Sequence, residues 1–397
     1  MPHTKKIFSH LHPLKSAILG MLLTSTLAAC QSTGPQTTGQ TLPPAAQAQA
    51  NPSEIQALAA RVGQDVVRLQ DGADAGRAIM NRLLDAGLLR ATSGNASVQV
   101  QTAGVPLRHG PVTPRKGQTQ EQAEEMRRQY NLVTAGGYVD GPIDLRFDFA
   151  QWHYAFAVQT ADPSTATRPS LHFFDAQGDE VHRVEVLPEG AAVLAQIVVQ
   201  FKASDTAAPP HPITVKAARP EPTDPADSSI DVATYQQEWR SITDVHQFHG
   251  IQQKHGLGRE QALRLAPPEA VRALEARQAV RHLLEAAVRD EVPIMAFVSN
   301  RGITHIYADV PQAVQQQGEW LLVRGPGESR LKIRTSDIAT GWAATRGEVT
   351  SVDFFGSDGQ PLVTFFGKRL GKEYRITEKW MGLVQALPTQ PDAAHSR

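Results

Sequence analysis

Apolar residues recur at helical spacing from Asn51 to Ala91: Ile55, Leu58, Val62, Val66 and Leu69, then Ile79, Leu83, Leu84 and Leu88, with a break at Asp71-Gly72. This spacing predicts two helices. From Ser97 to about Gln200 the pattern becomes one of alternation, as in Ile143, Leu145, Phe147 and Phe149, or Leu171 and Phe173, interrupted by a polar, helical stretch at 118–130. Antiparallel strands follow from it. Residues 203–229 are rich in proline, which neither continues helices nor donates to sheets, and form a linker or wrapped connection. Helices are expected again at 232–253, 259–265 and 268–289, the last with Pro268 in its first turn. Strands return from Ile294, and a closing helix covers 378–387.

Helices followed by strands, twice over, indicate an internal repeat. Trp152 precedes Phe173-Phe174-Asp175-Ala176-Gln177-Gly178, and Trp342 precedes Phe354-Phe355-Gly356-Ser357-Asp358-Gly359. Each double-Phe strand enters a glycine-containing turn, which is hairpin chemistry. The expected fold class is α+β: two similar halves, 51–202 and 230–390, each of helices followed by antiparallel β-sheet, with the sheets stacked.

The length, 397 residues, suffices for two domains with their own cores. With 39 Lys+Arg against 40 Asp+Glu, the net charge of −1 removes the electrostatic case for a nucleic-acid partner. A single cysteine, Cys30, excludes a disulfide framework and Cys-rich metal sites. Lys5, Lys6 and Lys15 precede an apolar run from Ala17 to Leu27, shorter than the roughly 20 residues that span a bilayer, ending in Leu27-Ala28-Ala29-Cys30. Residues 1–30 therefore read as a lipoprotein signal peptide with Cys30 as the lipidated residue. Gln31, rather than Asp, points to the outer membrane. Residues 31–50 carry no charge and almost no large apolar side chain, as a flexible tether would. The expected location is the cell envelope, held by a lipid anchor only; the alternative is a start codon set upstream of a cytoplasmic protein.

Candidate chemistry concentrates after the linker. Tyr235, Trp239, Ile242, His246 and His249 are spaced four, three, four and three residues apart and share one face of an unbroken helix. That stripe is apolar and aromatic until its last turn, where imidazole replaces Leu. A haem iron needs such an arrangement, a neutral imidazole for the axial bond within apolar and aromatic surface for the porphyrin. The same stripe is also compatible with histidines that merely end a buried face. Porphyrin propionates need cations, and Arg324, Arg330, Lys332, Arg334 and Arg346 outnumber Glu328 and Asp337 in the stretch 324–346. A solvated strand face would have the same composition. P-loop, G-x-G-x-x-G, H-E-x-x-H and G-x-S-x-G patterns are absent from the sequence.

The segments EWRSITDVHQFHGIQQKHGLGREQALRLA, IDLRFDFAQWHYAFAVQ at 143–159, LHFFDAQGDEVHRVEVLP at 171–188 and VTSVDFFGSDGQPLVTFFGKRLG at 349–371 resemble the hemin-degrading-factor family of bacterial haem-utilisation proteins. The resemblance covers about 51–390. It implies a tandem-repeat α+β protein holding haem between the second half's sheet and the helix after the linker. The family's axial His in T-D-x-H-x-F falls on His246, with His249 matching an additional His. The family's aromatic and basic residues against haem and propionate fall on Trp342 and Arg346, although the expected Arg falls at Thr345, one position early; with Trp239 from the stripe as a second porphyrin-contacting wall and Arg334 from the basic stretch as a second candidate propionate partner, the expected site is complete. Where the family shows Thr-Arg-Asn, supplying an Arg to the far side of the haem, this chain has Thr92-Ser93-Gly94-Asn95.

Three functions remain open at this level. The leading expectation is a haem-binding protein of haem-iron uptake that captures or relays haem, with a haem transporter or haem oxygenase as protein partner. The second is a reductant-dependent haem-degrading enzyme of the oxygenase type. The third is an interaction lipoprotein that binds no haem.

Overall fold

The computed structural model describes residues 53–107, 118–123, 125, 136–139, 141–159, 168–204, 213–217, 223–368 and 377–390. The expected signal peptide, Cys30 and the 31–50 tether lie outside them, as do parts of the 118–130 helix and of the 203–229 linker.

Two antiparallel sheets dominate. The first has nine strands in the order Val66–Arg68, Tyr154–Val158, Ser170–Phe174, Glu180–Val186, Leu89–Gly94, Val98–Gly104, Arg330–Arg334, Trp320–Arg324 and Ala313–Gln317. The second has eight: Val271–Ala273, Thr340–Arg346, Val349–Phe355, Pro361–Gly367, Ile294–Ser299, Ile303–Asp309, Asp144–Phe147 and Gly137–Tyr138. Read from their short edge strands inward, the two orders are the same, and the α+β architecture of two similar stacked halves is the one observed. One feature differs from the expectation. Each sheet is completed by strands of the other half, Gly137–Tyr138 and Asp144–Phe147 joining the second sheet beside Ile303–Asp309 and 313–334 joining the first beside Val98–Gly104. A period-two pattern predicts a strand but says nothing of its neighbour.

The short edge strands Val66–Arg68 and Val271–Ala273 replace stretches expected to be helical. Three residues are too few to reveal a period, and their conformation is set by pairing with 156–158 and 342–344. The last long helix accordingly begins at Ala276, and Pro268 lies in the turn before the strand Val271–Ala273. Among the described linker residues, the Thr214 carbonyl accepts from the Tyr154 hydroxyl at 2.7 Å and the Lys216 amide donates to Ala176. That part of the linker wraps against the first half.

Two asparagines pin the sheets together at matching turns. Asn95 Oδ1 accepts from the amides of Ser97 and Val98, and its Nδ2 donates to the carbonyl of Leu362 at 2.9 Å. Asn300 Oδ1 accepts from Gly302 and Ile303, and its Nδ2 donates to Gly94 and Val181. Each side chain closes its own turn and satisfies backbone carbonyls across the sheet interface.

At that interface His182 and His305 are fully buried, with ring centroids 6.5 Å apart. Their partners are the hydroxyls of Ser93 at 2.7 Å and Thr102 at 2.9 Å, and Nδ1 of His305 is buried without a hydrogen-bond partner. Burial pushes His182 down to about 3, against upward pulls from Glu180 and the Thr92 backbone, and burial with the neighbouring His182 pushes His305 well below the usual range. Both rings stay neutral in the folded chain, while the unfolded chain takes up protons below about pH 6.5. Stability is therefore complete above that pH and lost as pH falls, by up to about 1.4 kcal/mol per unit for each histidine. Urea unfolding at pH 7 and pH 5 checks this; equal stability at both would contradict the neutral assignment.

Candidate functional site

Along Ile294–Ser299, Ile294, Ala296 and Val298 face the core, packed with Val280, Leu283 and Leu284 of the helix Ala276–Arg289. The alternate residues Met295, Phe297 and Ser299 face the other way. With Thr304 and Ala308 from one neighbouring strand and Thr364 and Phe366 from the other, they floor a cavity of about 940 Å³. Phe297 and Phe366 meet edge to face, with ring centroids 5.2 Å apart. The first half contributes Gly141 and Asp144 from the hairpin it lends to this sheet. Overhead stand Val245, His246, Phe248 and His249.

The roof is not the continuous helix expected over 232–253. One helix covers Val232–Arg240 and a second covers Gln247–Lys254. Thr243, Asp244 and Gln247 produce the break: the Gln247 Oε1 accepts from the amides of Thr243 at 2.9 Å and Asp244 at 3.0 Å, and Asp244 Oδ1 accepts from the amide of His246 at 2.9 Å. Such side chains offer the backbone an alternative to helix. The break separates the predicted stripe. Tyr235, Trp239 and Ile242 are buried, whereas His246 and His249 turn onto the cavity.

His246 is the first residue of the second helix's cap, its side chain 72% exposed. Its Nδ1 lies 2.5 Å from the acceptor Asp244 Oδ1, so Nε2 is the ring nitrogen left for a further ligand. His249, one turn on, is exposed and contacts Gln253 through Nε2 at 3.0 Å. Both imidazoles can ligate a metal from the roof.

Arg346 lines the same cavity but is only 3% exposed. Its guanidinium lies 4.3 Å from the ring centroid of Phe248 and 5.4 Å from that of Trp239. It donates to Ser351 Oγ at 2.8 Å and sits 3.5 Å from the buried Asp353. Burial lowers its pKa, Asp353 opposes that, and nearby Arg259 adds to it. Its Nε is buried without a hydrogen-bond partner. Arg259 and Lys368 are further cations on the lining.

The other candidates fall elsewhere. Arg334 belongs to the first sheet, 4.6 Å above the Trp320 ring and beside Asp337 and Glu319, away from the cavity. Hairpin exchange is the reason: strand 330–334 leaves its own half. Trp239 is buried behind Phe248, its indole donating to the Thr345 carbonyl at 3.1 Å. Trp342 donates to Glu260 at 3.1 Å. Neither tryptophan lines the cavity; Trp239 supports the roof from behind Phe248.

Met295, Phe297, Phe366, Arg259 and Lys368 were not singled out by sequence. A signal existed in Ile294-Met295-Ala296-Phe297-Val298, which is apolar on both faces and so requires cover on both. The corresponding face of the first half is different. The pair Met295–Phe366 is matched there by Arg90–Glu185, and Phe297–Thr364 by Thr92–Arg183. Arg90 is held by Glu185 and Glu328, and Arg183 by Glu54 and Glu180. That face is charged and self-paired.

Residues 51–186 and 256–387 each match the family model of the haemin-degrading HemS.ChuX domain. The hemin transport protein HmuS of Yersinia pestis is 30% identical over 328 residues, covering 80% of this chain and 84% of the relative. Holo-PhuS, a heme-binding protein from Pseudomonas aeruginosa, superposes with a TM-score of 0.71 at 28% identity, covering 85% of this chain and 91% of PhuS. ChuS, an E. coli heme oxygenase, shares the fold at 24% identity and a TM-score of 0.64, over 84% of this chain and 92% of ChuS. The envelope placement read from residues 1–30 is overturned: an outer-membrane, lipid-anchored location conflicts with relatives named for hemin transport and heme binding. With both halves matched and a relative of this identity aligned to four-fifths of its length, the chain belongs to the haemin-degrading HemS/ChuX family.

Proposed function

We propose that this protein binds haem in the cleft over its second sheet and carries it in bacterial haem uptake, with His246 as axial ligand and His249 as the alternative. Relatives named for hemin transport and heme binding support haem as the ligand. The observation that carries the reading is the presence, in one cavity, of an aromatic floor, roof imidazoles and side-wall guanidiniums. A porphyrin requires each of these: apolar surface for the macrocycle, a neutral imidazole for iron and cations for propionates.

The residues present fit the group. Arg346 carries an unpartnered buried Nε, and Arg259 opposes its charge. Among the described residues Asp353 is the buried acid beside Arg346, and a carboxylate entering the cavity relieves the repulsion between the two guanidiniums. On this reading Arg259 and Arg346 hold propionates, and Phe297, Phe366 and Met295 cover the ring and exclude water. Bound haem supplies a redox-active iron with a further coordination position.

Carriage is favoured over ring opening by the Thr92–Asn95 turn, where the family's far-side Arg is missing. Ser93 is committed to His182 at 2.7 Å. A Cβ on Gly94 would meet the Val98 carbonyl oxygen at 2.2 Å, so no side chain can stand there. A positioned cationic donor, of the kind that stabilises developing charge, is lacking at this turn. The protein partners on this reading are a transporter that delivers haem and an oxygenase that receives it.

Haem titration of the purified chain should give a saturable Soret band at one haem per chain, because the first half's matching face is charged. No saturable shift would overturn the reading. Under reductant and oxygen the loaded protein should keep that band; its bleaching would instead favour the degrading enzyme.

A further inference from the structure

Within that haem-binding reading, we infer that the cleft is a general tetrapyrrole site, one that takes iron-free porphyrin as well as haem. The inference rests on how the cavity divides its chemistry. The side chains placed to ligate a metal are the imidazoles of His246 and His249 on the roof and the thioether of Met295 on the floor; the lining carboxylates Asp144 and Asp353 are held by Arg146 and by Ser351 and Thr364. The aromatic and cationic lining is directed at features a porphyrin keeps without its metal. Phe297 and Phe366, held edge to face, offer flat apolar surface, and Phe248 faces them from the roof. Arg259 and Arg346 offer positive charge to the carboxylates.

The two kinds of contact are also mechanically separate. His246 is 72% exposed and tied through Nδ1 to Asp244, so it stands at the cavity's edge rather than filling its interior. Phe248, by contrast, is buried against Arg346 and Trp239 and keeps its place whether or not an imidazole finds a metal. Burial of a large apolar ring and neutralisation of its carboxylates are sufficient sources of affinity in such a cleft. Coordination adds to them and is not a condition for them. The same cleft therefore accepts a porphyrin before metal insertion or after metal removal.

The test uses protoporphyrin IX fluorescence and haem absorbance on the full chain, with circular dichroism confirming the fold of each variant. Protoporphyrin IX should saturate at one per chain and be displaced by haem. In His246→Ala/His249→Ala its Kd should change less than about threefold, while that of haem rises by about tenfold or more. In Phe297→Ser/Phe366→Ser both Kd values should rise by about tenfold or more. Haem binding without protoporphyrin binding overturns the inference and leaves the haem reading standing. Failure of both ligands overturns the haem reading itself. Porphyrin that haem does not displace, or that is lost with the imidazoles as fully as haem is, also overturns the inference.

Discussion

The His246→Ala/His249→Ala chain is expected to keep its fold and lose its axial ligation. Neither imidazole is part of a buried core: His246 bonds only to Asp244, two residues away, and His249 to Gln253 in its own helix. Removing them exposes no cavity and strands no buried partner, so urea stability should move by no more than about 0.5 kcal/mol, as for ordinary surface substitutions. The haem spectrum should change completely, and affinity should fall at least as far as the about tenfold to hundredfold that follows loss of even an outer-shell metal partner. The single His246→Ala change should be milder, since His249 lies one turn on. A double variant with the parent spectrum would refute the ligand assignment.

Arg346→Leu is expected to have the largest effect on stability. It leaves Asp353 buried with only the hydroxyls of Ser351 and Thr364 to satisfy it, at 2.6 and 2.8 Å. Breaking a buried ion pair from one side typically costs about 3 to 5 kcal/mol. The guanidinium also lies against Phe248 and Trp239, so its loss frees the segment that carries His246. Replacing Asp353 by Asn at the same time removes the stranded charge and should recover part of the loss. Urea unfolding of the two variants measures both; a loss under about 1 kcal/mol for the single change would mean that the pair is solvated.

Much of this was legible in the chain because it depends on local pattern. Doubled Phe-Phe strands and their glycine turns announced two halves, and the segment from Trp239 to His249 announced an apolar surface ending in imidazole. What the pattern could not give was partnership. Nothing in Arg330–Arg334 reveals that it joins the other half's sheet, so Arg334 was grouped with Arg346 although the two lie on different sheets. The interruption at Thr243-Asp244 hid inside a continuing apolar period, because Gln247 caps it with a side chain that helices also tolerate. Arg259 had no distinguishing neighbour in sequence; its meaning comes from proximity to Arg346, 87 residues further along. Residues 1–30 were misleading for a different reason. Short apolar runs ending in cysteine have little specificity, and the envelope placement read from this one conflicts with the relatives.

The most direct test of haem bound over the second sheet is a crystal structure of the haem-loaded chain, with iron located by its anomalous scattering. Iron bonded to Nε2 of His246, with the macrocycle against Phe297 and Phe366, is the predicted result. Iron on the charged face around Arg90 and Arg183, or bonded to a histidine other than His246 or His249, would contradict it.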